Sequence, residues 1–294
     1  MTATAHASAL LAPHDLWGAW SLDPAVLLGL VVVAAGYGRG VRRLWRAGPR
    51  VVRGWQAAAF VAGLAVVALA LLSPLDALAG VLFSAHMAQH MLLVMVAAPL
   101  LVLGAPGLPL TVALGAGWRR RLALLRRHAA TAAGRRLLSR PVVAWGVHVG
   151  VLWAWHLPVP YQTALADDLV HAAEHASFLG SAMLFWWVLA RRRLAPGFAM
   201  LYLFAAALQG SALGALLTLA PAVLYPLQAA GSALWGLTPL ADQQLAGLVM
   251  WVPADLIYLG AAAALFIRWL TSMEGEDPWQ EQAAQPPASI PRAG

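Results

Sequence analysis

The sequence predicts an all-α, polytopic transmembrane helical bundle of seven transmembrane helices, with the N-terminus outside and the C-terminus cytoplasmic. Composition is the first of three observations behind this. The chain is 61% hydrophobic and 11% charged, with a mean hydropathy of +0.72, whereas an average soluble domain is about one-quarter charged. Second, apolar blocks follow one another along all 294 residues and leave no hydrophilic stretch long enough for a soluble domain. Third, all 19 basic residues are arginine, and they fall in alternate connections between the blocks.

Residues 1–19 form an extracytoplasmic N-terminal segment. The opening MTATAHASALLAPHDLW has neither a basic n-region nor an apolar core, so no cleavable signal peptide is expected there. The membrane domain, 20–270, holds apolar stretches near 20–38, 54–72, 81–104, 141–159, 170–190, 198–220 and 245–268. Each is about the length that crosses roughly 30 Å of hydrocarbon. Arg39, Arg42, Arg43, Arg46, Arg50 and Arg53 lie between the first two stretches, and the group from Arg119 to Arg140 lies between the third and fourth. Arg191, Arg192 and Arg193 follow the fifth, and Arg268 and Arg292 follow the seventh. The positive-inside rule makes that side cytoplasmic. The opposite connections carry Asp76, Asp167, Asp168 and Asp242 and no arginine.

The long inner loop 117–140 alternates leucine and alanine with arginine at helical spacing and is expected to lie on the anionic inner leaflet of the lipid bilayer. The tail 271–294 is proline-rich and polar and is expected to be a disordered cytoplasmic segment. A net charge of +7 and a pI near 10.9 are accounted for by these basic loops, so no nucleic-acid partner is implied. With no cysteine, disulfides and thiolate metal sites are excluded.

Polar residues inside the membrane carry the functional signal, because an ionisable group there costs several kcal/mol unless it is paired, hydrated or bound. His86 and His90 are four apart and share a face of the third helix. His171 and His175 repeat the spacing at the outer start of the fifth, with Glu174 between them. His156 closes the fourth helix on the same side, and His148 lies about two turns deeper. Two such pairs on adjacent helices can clasp a metal ion. Met87, Met91 and Met95 run beside the first pair, and imidazole with thioether suits copper, although zinc and iron also accept imidazole. Haem fits less well, since bis-histidine haem takes one ligand from each of two helices. The structural alternative is that these histidines hydrogen-bond between helices and the methionines simply pack. His6, His14 and His128 fall in the tail and the basic loop and carry no expected function.

Gln89, Gln209, Gln243, Gln244 and Asp255 are further intramembrane polar positions; Pro253 is expected to kink the last helix and turn Asp255 inward as a hydrogen-bonded structural carboxylate. Trp153, Trp155, Trp186, Trp187 and Trp251 are read as anchors at the membrane interfaces.

The segments HMAQHMLLVMVAAPLLVLGAP (86–106), WAWHLPVPYQTAL (153–165), HAAEHASFLGSAMLFWW (171–187) and DQQLAGLVMWVP (242–253) together resemble the Caa3-type CtaG family of bacterial cytochrome c oxidase assembly factors, over residues 20–270. The resemblance implies a multi-pass bacterial plasma-membrane protein that is not an enzyme and serves formation of caa3-type cytochrome c oxidase. Its partners would be oxidase subunits and other copper chaperones. It points to His86, His90, His156, His171, Glu174 and His175; the five histidines are then the expected metal ligands with copper as the ion, and Glu174, His148, which lies outside the firmest motif, and Met87 and Met91, read from their spacing, are auxiliary candidates. Copper delivery at the outer face is the function this implies. A copper transporter, a metal-dependent membrane enzyme and a metal-free scaffold for oxidase subunits are the alternatives. A second assembly factor that shares the CtaG name depends on cysteine and is excluded here.

Overall fold

The computed structural model describes residues 11–48, 51–191, 194–226 and 229–274, and contains no strand among them. The expected disordered tail lies outside the described residues from 275 onward, as do Arg50, Arg192, Arg193, Arg292 and His6. After a short 3₁₀ helix at Pro13–Gly18, the chain forms α1 (Pro24–Ala47), α2 (Gly54–Leu72), the short α3 (Pro74–Ala79) and α4 (Phe83–Met91). A π-helical turn, Leu92–Ala97, joins α4 to α5 (Ala98–Leu103). Next come α6 (Gly107–Ala113), α7 (Ala116–Arg127), α8 (Ala129–Leu138), α9 (Pro141–Trp155), α10 (Pro158–Ala166), α11 (Asp168–Arg191) and α12 (Pro196–Leu219). The short α13 (Ala229–Ser232) precedes the long α14 (Pro239–Glu274).

Many helix starts are written locally. Pro24, Pro74, Pro141, Pro158 and Pro196 open five of them, where a missing N–H costs nothing. Asp23 caps α1 by accepting from the amides of Ala25 (2.7 Å) and Val26 (3.0 Å). The start of α4 is capped from a distance. Asp242 at the head of α14, 2% exposed, accepts from the amides of Phe83 (2.7 Å) and Ser84 (3.1 Å) and from the Ser84 hydroxyl (2.5 Å). Asp242 therefore serves as a buried helix cap rather than as part of an acidic outer loop.

Five helices are long and apolar enough to cross a membrane: Pro24–Ala47, Gly54–Leu72, Phe83–Leu103, Pro196–Leu219 and Pro239–Met273. A sixth arises if Ala129–Leu138 and Pro141–Trp155, bent by 76° at their junction, count as one span. The two expected spans that fail alone do so for physical reasons. The 15 residues of α9 rise only about 22 Å, and the 24 residues of α11 are diluted by Asp168, His171, Glu174 and His175.

The long helices are antiparallel in a way that separates chemistry by end. Asp23, Leu71, Asp168, His171 and His175 border one cavity, so the head of α1, the foot of α2 and the head of α11 meet there. The Asp242 cap brings the heads of α4 and α14 to the same end. The described arginines of these helices, Arg39, Arg42, Arg43 and Arg46 on α1, Arg53 before α2, Arg191 on α11 and Arg268 on α14, sit toward the other end. In the loop 117–140 the helices α7 and α8 hold no buried residue, as amphipathic surface helices would.

The core is built by Phe178, Phe185, Trp186, Tyr202 and Tyr258 on one side and Tyr37, Phe60, Leu93 and Leu101 on the other. Outward, Leu28, Val31 and Val32 of α1, Phe204 and Leu208 of α12 and Leu256 and Leu259 of α14 are exposed, the pattern of a surface that meets lipid. The crossing of α12 on α14 is close. A Cβ on Gly214 would stand 2.8 Å from the Trp251 Cβ and 2.9 Å from the Gly247 carbonyl, and one on Gly247 would meet the Gly214 carbonyl at 2.5 Å. Small residues let the two backbones touch, as helices in membranes require.

Two prolines shape the interior. Pro74 cannot donate to the carbonyl of Ala70, one turn back, and Gln89 fills that carbonyl from α4 at 2.8 Å. In the π-helical turn Ala98 bonds to Leu93, five residues back, so the next bond would run from position 99 to Val94. Pro99 has no N–H to make it, and the Trp186 indole donates to Val94 instead (3.1 Å, buried). Trp153 and Trp155 likewise donate inward, to Gln209 (3.1 Å) and Ser177 (2.7 Å). These three tryptophans are internal clamps rather than interface anchors. Asp255 accepts from Ser211 at 2.7 Å, and α14 continues through Pro253 as one helix.

Gly247→Leu is expected to lower the thermal stability of the detergent-solubilised protein by at least the ~1–3 kcal/mol typical of overpacking, while Gly180→Ala, with open space at its Cβ, leaves the melting temperature nearly unchanged. Equal melting curves for both variants would contradict the close α12–α14 crossing.

Candidate metal centre

Helical spacing places His86 and His90 one turn apart on α4, and His171 and His175 one turn apart on α11. Packing of the two helix heads brings the pairs face to face. Ring centroids are 4.3 Å apart for His86 and His90, 4.2 Å for His171 and His175, 5.3 Å for His86 and His171, and 5.2 Å for His90 and His175. Glu174 enters between them, its Oε2 3.7 Å from His86 Nε2 and its Oε1 3.9 Å from His90 Nε2. Both distances exceed a hydrogen bond.

The environment is largely buried. His86 and Glu174 are 0% exposed, His90 1% and His175 8%. Both ring nitrogens of His90, the Nε2 atoms of His86, His171 and His175, and both Glu174 oxygens are buried without a hydrogen-bond partner among the described residues. Each such atom costs about 1–3 kcal/mol relative to water, so a cluster of them is not a stable end-point for side chains alone. Ligand atoms from His86, His90 and His175 lie within 4.8 Å of one another, and so do those from His86, His171 and Glu174. Two ligands each about 2.1 Å from a tetrahedral ion stand roughly 3.4 Å apart. The donor set therefore fits a metal ion after small side-chain adjustments, and carboxylate with imidazole is a set that copper and zinc both accept.

The fifth expected ligand stands elsewhere. His156, at the foot of α9, bonds through Nδ1 to the Leu152 carbonyl (2.7 Å), and its Nε2 faces Met87 Sδ at 3.4 Å. The histidine level thus splits, with four rings in the cluster and His156 beside it against Phe178. His148 lies deeper, its Nδ1 3.3 Å from the Ser181 hydroxyl. Met87 and Met91 face that inner region rather than the cluster, as the one-residue offset from the histidines dictates.

Three features support the cluster in ways the sequence did not reveal. Gln89, between the two α4 histidines, donates to Ala70 and to Asp76 Oδ1, both at 2.8 Å, and so fixes α4 against α2 and α3. Asp242 caps α4. A cavity of about 440 Å³, bordered by Asp23, Asp76, Asp168, His171 and His175, leads from the surface to the cluster. Burial pushes the Asp76 carboxyl up, against the opposing effect of hydrogen bonds from Gln89 and Ser21. The carboxylates nevertheless line an approach suited to a cation.

A family model for the cytochrome c oxidase caa3 assembly factor matches residues 35–272. The chain is also similar to an uncharacterized protein of Mycobacterium leprae (strain TN), 29% identical over 272 residues, covering 85% of this chain and 39% of that protein. Uncharacterized proteins of Mycobacterium bovis and Mycobacterium tuberculosis are 30% identical over the same length, again covering 85% of this chain and 39% of theirs. The chain thus spans about two-fifths of the length of these curated relatives. No solved structure matches it significantly.

Neutralising the approach with Asp23→Asn and Asp168→Asn, where asparagine keeps the α1 cap, is expected to slow zinc association about three- to tenfold and to flatten its dependence on ionic strength. Stopped-flow competition with a chromophoric chelator measures this; an unchanged rate and salt slope would exclude the cavity as the route.

Proposed function

The chain belongs to the cytochrome c oxidase caa3 assembly factor family, and from that premise we propose that it holds a copper ion in the His86, His90, His171, His175 and Glu174 cluster and passes it to an oxidase subunit during assembly. In this reading the copper is cargo and the protein performs no catalysis. The observation that carries it is the buried set of imidazole nitrogens and carboxylate oxygens with no partner among the described residues. A structural role would have satisfied those atoms, and a permanent cofactor site would not need a wide, acid-lined approach.

The same reading sets the protein in the bacterial plasma membrane with seven spans, α9 and α11 completing the five or six that length and apolarity identify. Both would be sheltered by the bundle, which is how a membrane tolerates polar helices. Arginines at one end of the bundle and histidines at the other support a cytoplasmic C-terminus and an outward-facing cluster. Copper would then be received and released outside the membrane, where the other copper chaperones and the oxidase subunits it serves would meet it. Glu174, the one carboxylate among the described residues within 4 Å of both α4 histidines, would balance the charge of the ion and orient the rings.

Elemental analysis of detergent-purified protein expressed with copper supplied tests the reading. Wild type should carry close to one copper per chain in the cluster, and His86→Ala with His90→Ala should lose it, together with maturation of active oxidase in cells. Glu174→Gln should retain the fold and weaken copper binding about 10- to 100-fold, read by chelator competition. Copper absent from wild type, with the histidine variants still supporting oxidase maturation, would replace copper delivery by a metal-free scaffold.

A further inference from the structure

Beneath the histidine–glutamate cluster lies a second, enclosed cavity of about 20 Å³, room for one ion or one water. Its wall includes Met87, Met91, Met95, Met250, His148 and His156. Of these, Met87 is 0% exposed and Met250 2%, and His90 of the outer cluster forms part of the same wall. Four thioethers converging on one small space is more than packing alone needs, and the hydrogen bonds of the two histidines show why.

The Leu152 carbonyl can only accept, so the 2.7 Å contact with His156 puts the proton on Nδ1 and leaves Nε2 a bare lone pair in the neutral ring. That lone pair faces the Met87 sulfur at 3.4 Å, and a thioether is also only an acceptor. Two Lewis bases pointing at each other need something positive between them. A doubly protonated His156 would need an anion, but histidine–carboxylate contacts among the described residues involve His14, His86 and His90 alone. His148 repeats the pattern. The Ser181 hydroxyl donates to the Phe178 carbonyl (3.2 Å), which leaves its oxygen to accept from His148 Nδ1 (3.3 Å) and the His148 Nε2 without a proton.

We infer that His156 and Met87, with Met91, Met95, Met250 and His148 around them, form a second metal site, for a soft monovalent cation of the copper(I) class. An ion about 2.0 Å from a nitrogen and 2.3 Å from a sulfur holds the two roughly 3.5 Å apart, the separation found here. Thioether donors select copper(I) over copper(II) and over zinc, so the two sites differ in what they hold: copper in either state or zinc among the imidazoles above, copper(I) alone below. His90 borders both and makes ligand exchange between them a short step. The identity of the ion rests on the copper reading above; the existence of a soft site does not.

The test loads the full-length protein in detergent with copper(I) under anaerobic, reducing conditions, and separately with zinc. X-ray absorption at the metal edge and stoichiometry are the readouts. Wild type is expected to show copper–sulfur scattering and about one more equivalent of copper(I) than of zinc. Met87→Leu, close in volume and checked by a monodisperse gel-filtration peak, should lose the sulfur scattering and that extra equivalent while still binding zinc. His171→Ala with His175→Ala should lose zinc and keep the sulfur-ligated copper(I). No sulfur scattering in wild type, or undiminished scattering in Met87→Leu, overturns the inference. Sulfur-ligated copper(I) in a wild-type protein that binds no zinc or copper(II) would sink the outer-cluster reading and leave this one standing.

Discussion

An imidazole nitrogen or carboxylate oxygen taken out of water needs a partner, and inside a lipid-embedded bundle only the protein or a bound ion can supply one. The region around α4 and α11 is organised by that requirement. Helix heads that would otherwise leave amides bare are capped by Asp242, and carbonyls released by prolines are taken up by Gln89 and Trp186. Backbone polarity there is met with care, and the side chains of His86, His90, His171, Glu174 and His175 are the conspicuous exception. Their lack of hydrogen-bond partners reads as reserved coordination rather than neglect, because among the described residues of α4 and α11 the Gln89 Oε1 alone shares it.

Placement on α4 and α11 gives this reserve its rigidity. A site built from two one-turn pairs has each ring fixed by its own helix, and only the distance between helices remains to be set. Gln89 sets it on one side by tying α4 to α2 and α3, and Trp186 sets it on the other by tying α11 to the π-helical turn. The site is therefore stiff in the plane of the helices and open toward the cavity bordered by Asp23 and Asp168. On the proposed reading, an ion would come and go without the bundle having to part.

Much of this was legible in the sequence because it is periodic. Four-residue spacing brought His86 with His90 and His171 with His175 to single faces, and the arginine distribution separated the two ends of the bundle. What periodicity cannot give is which helices touch, and there the reading needed the structure. His156 shares the depth of the cluster but belongs to a helix that approaches from the side, so it meets Met87 instead. Asp242 looked like a loop residue because its partners are 158 and 159 residues away. Trp186 looked like a belt anchor because the carbonyl it serves is freed by a proline on another helix. The span count was obscured by the candidate site itself: Asp168, His171, Glu174 and His175 lower the apolarity of α11.

The two proline-freed carbonyls also bear on how the protein is made. Helices enter a membrane in chain order, and α2 with α3 enters carrying an Ala70 carbonyl that its own helix cannot satisfy. Only when α4 arrives with Gln89 at the right height does that need disappear. The π-helical turn repeats the arrangement one step later, its Val94 carbonyl waiting for Trp186 of α11. Each half of the histidine cluster is thus drawn into register by a debt left in the helix before it, so the order of synthesis itself rehearses the assembly of the site.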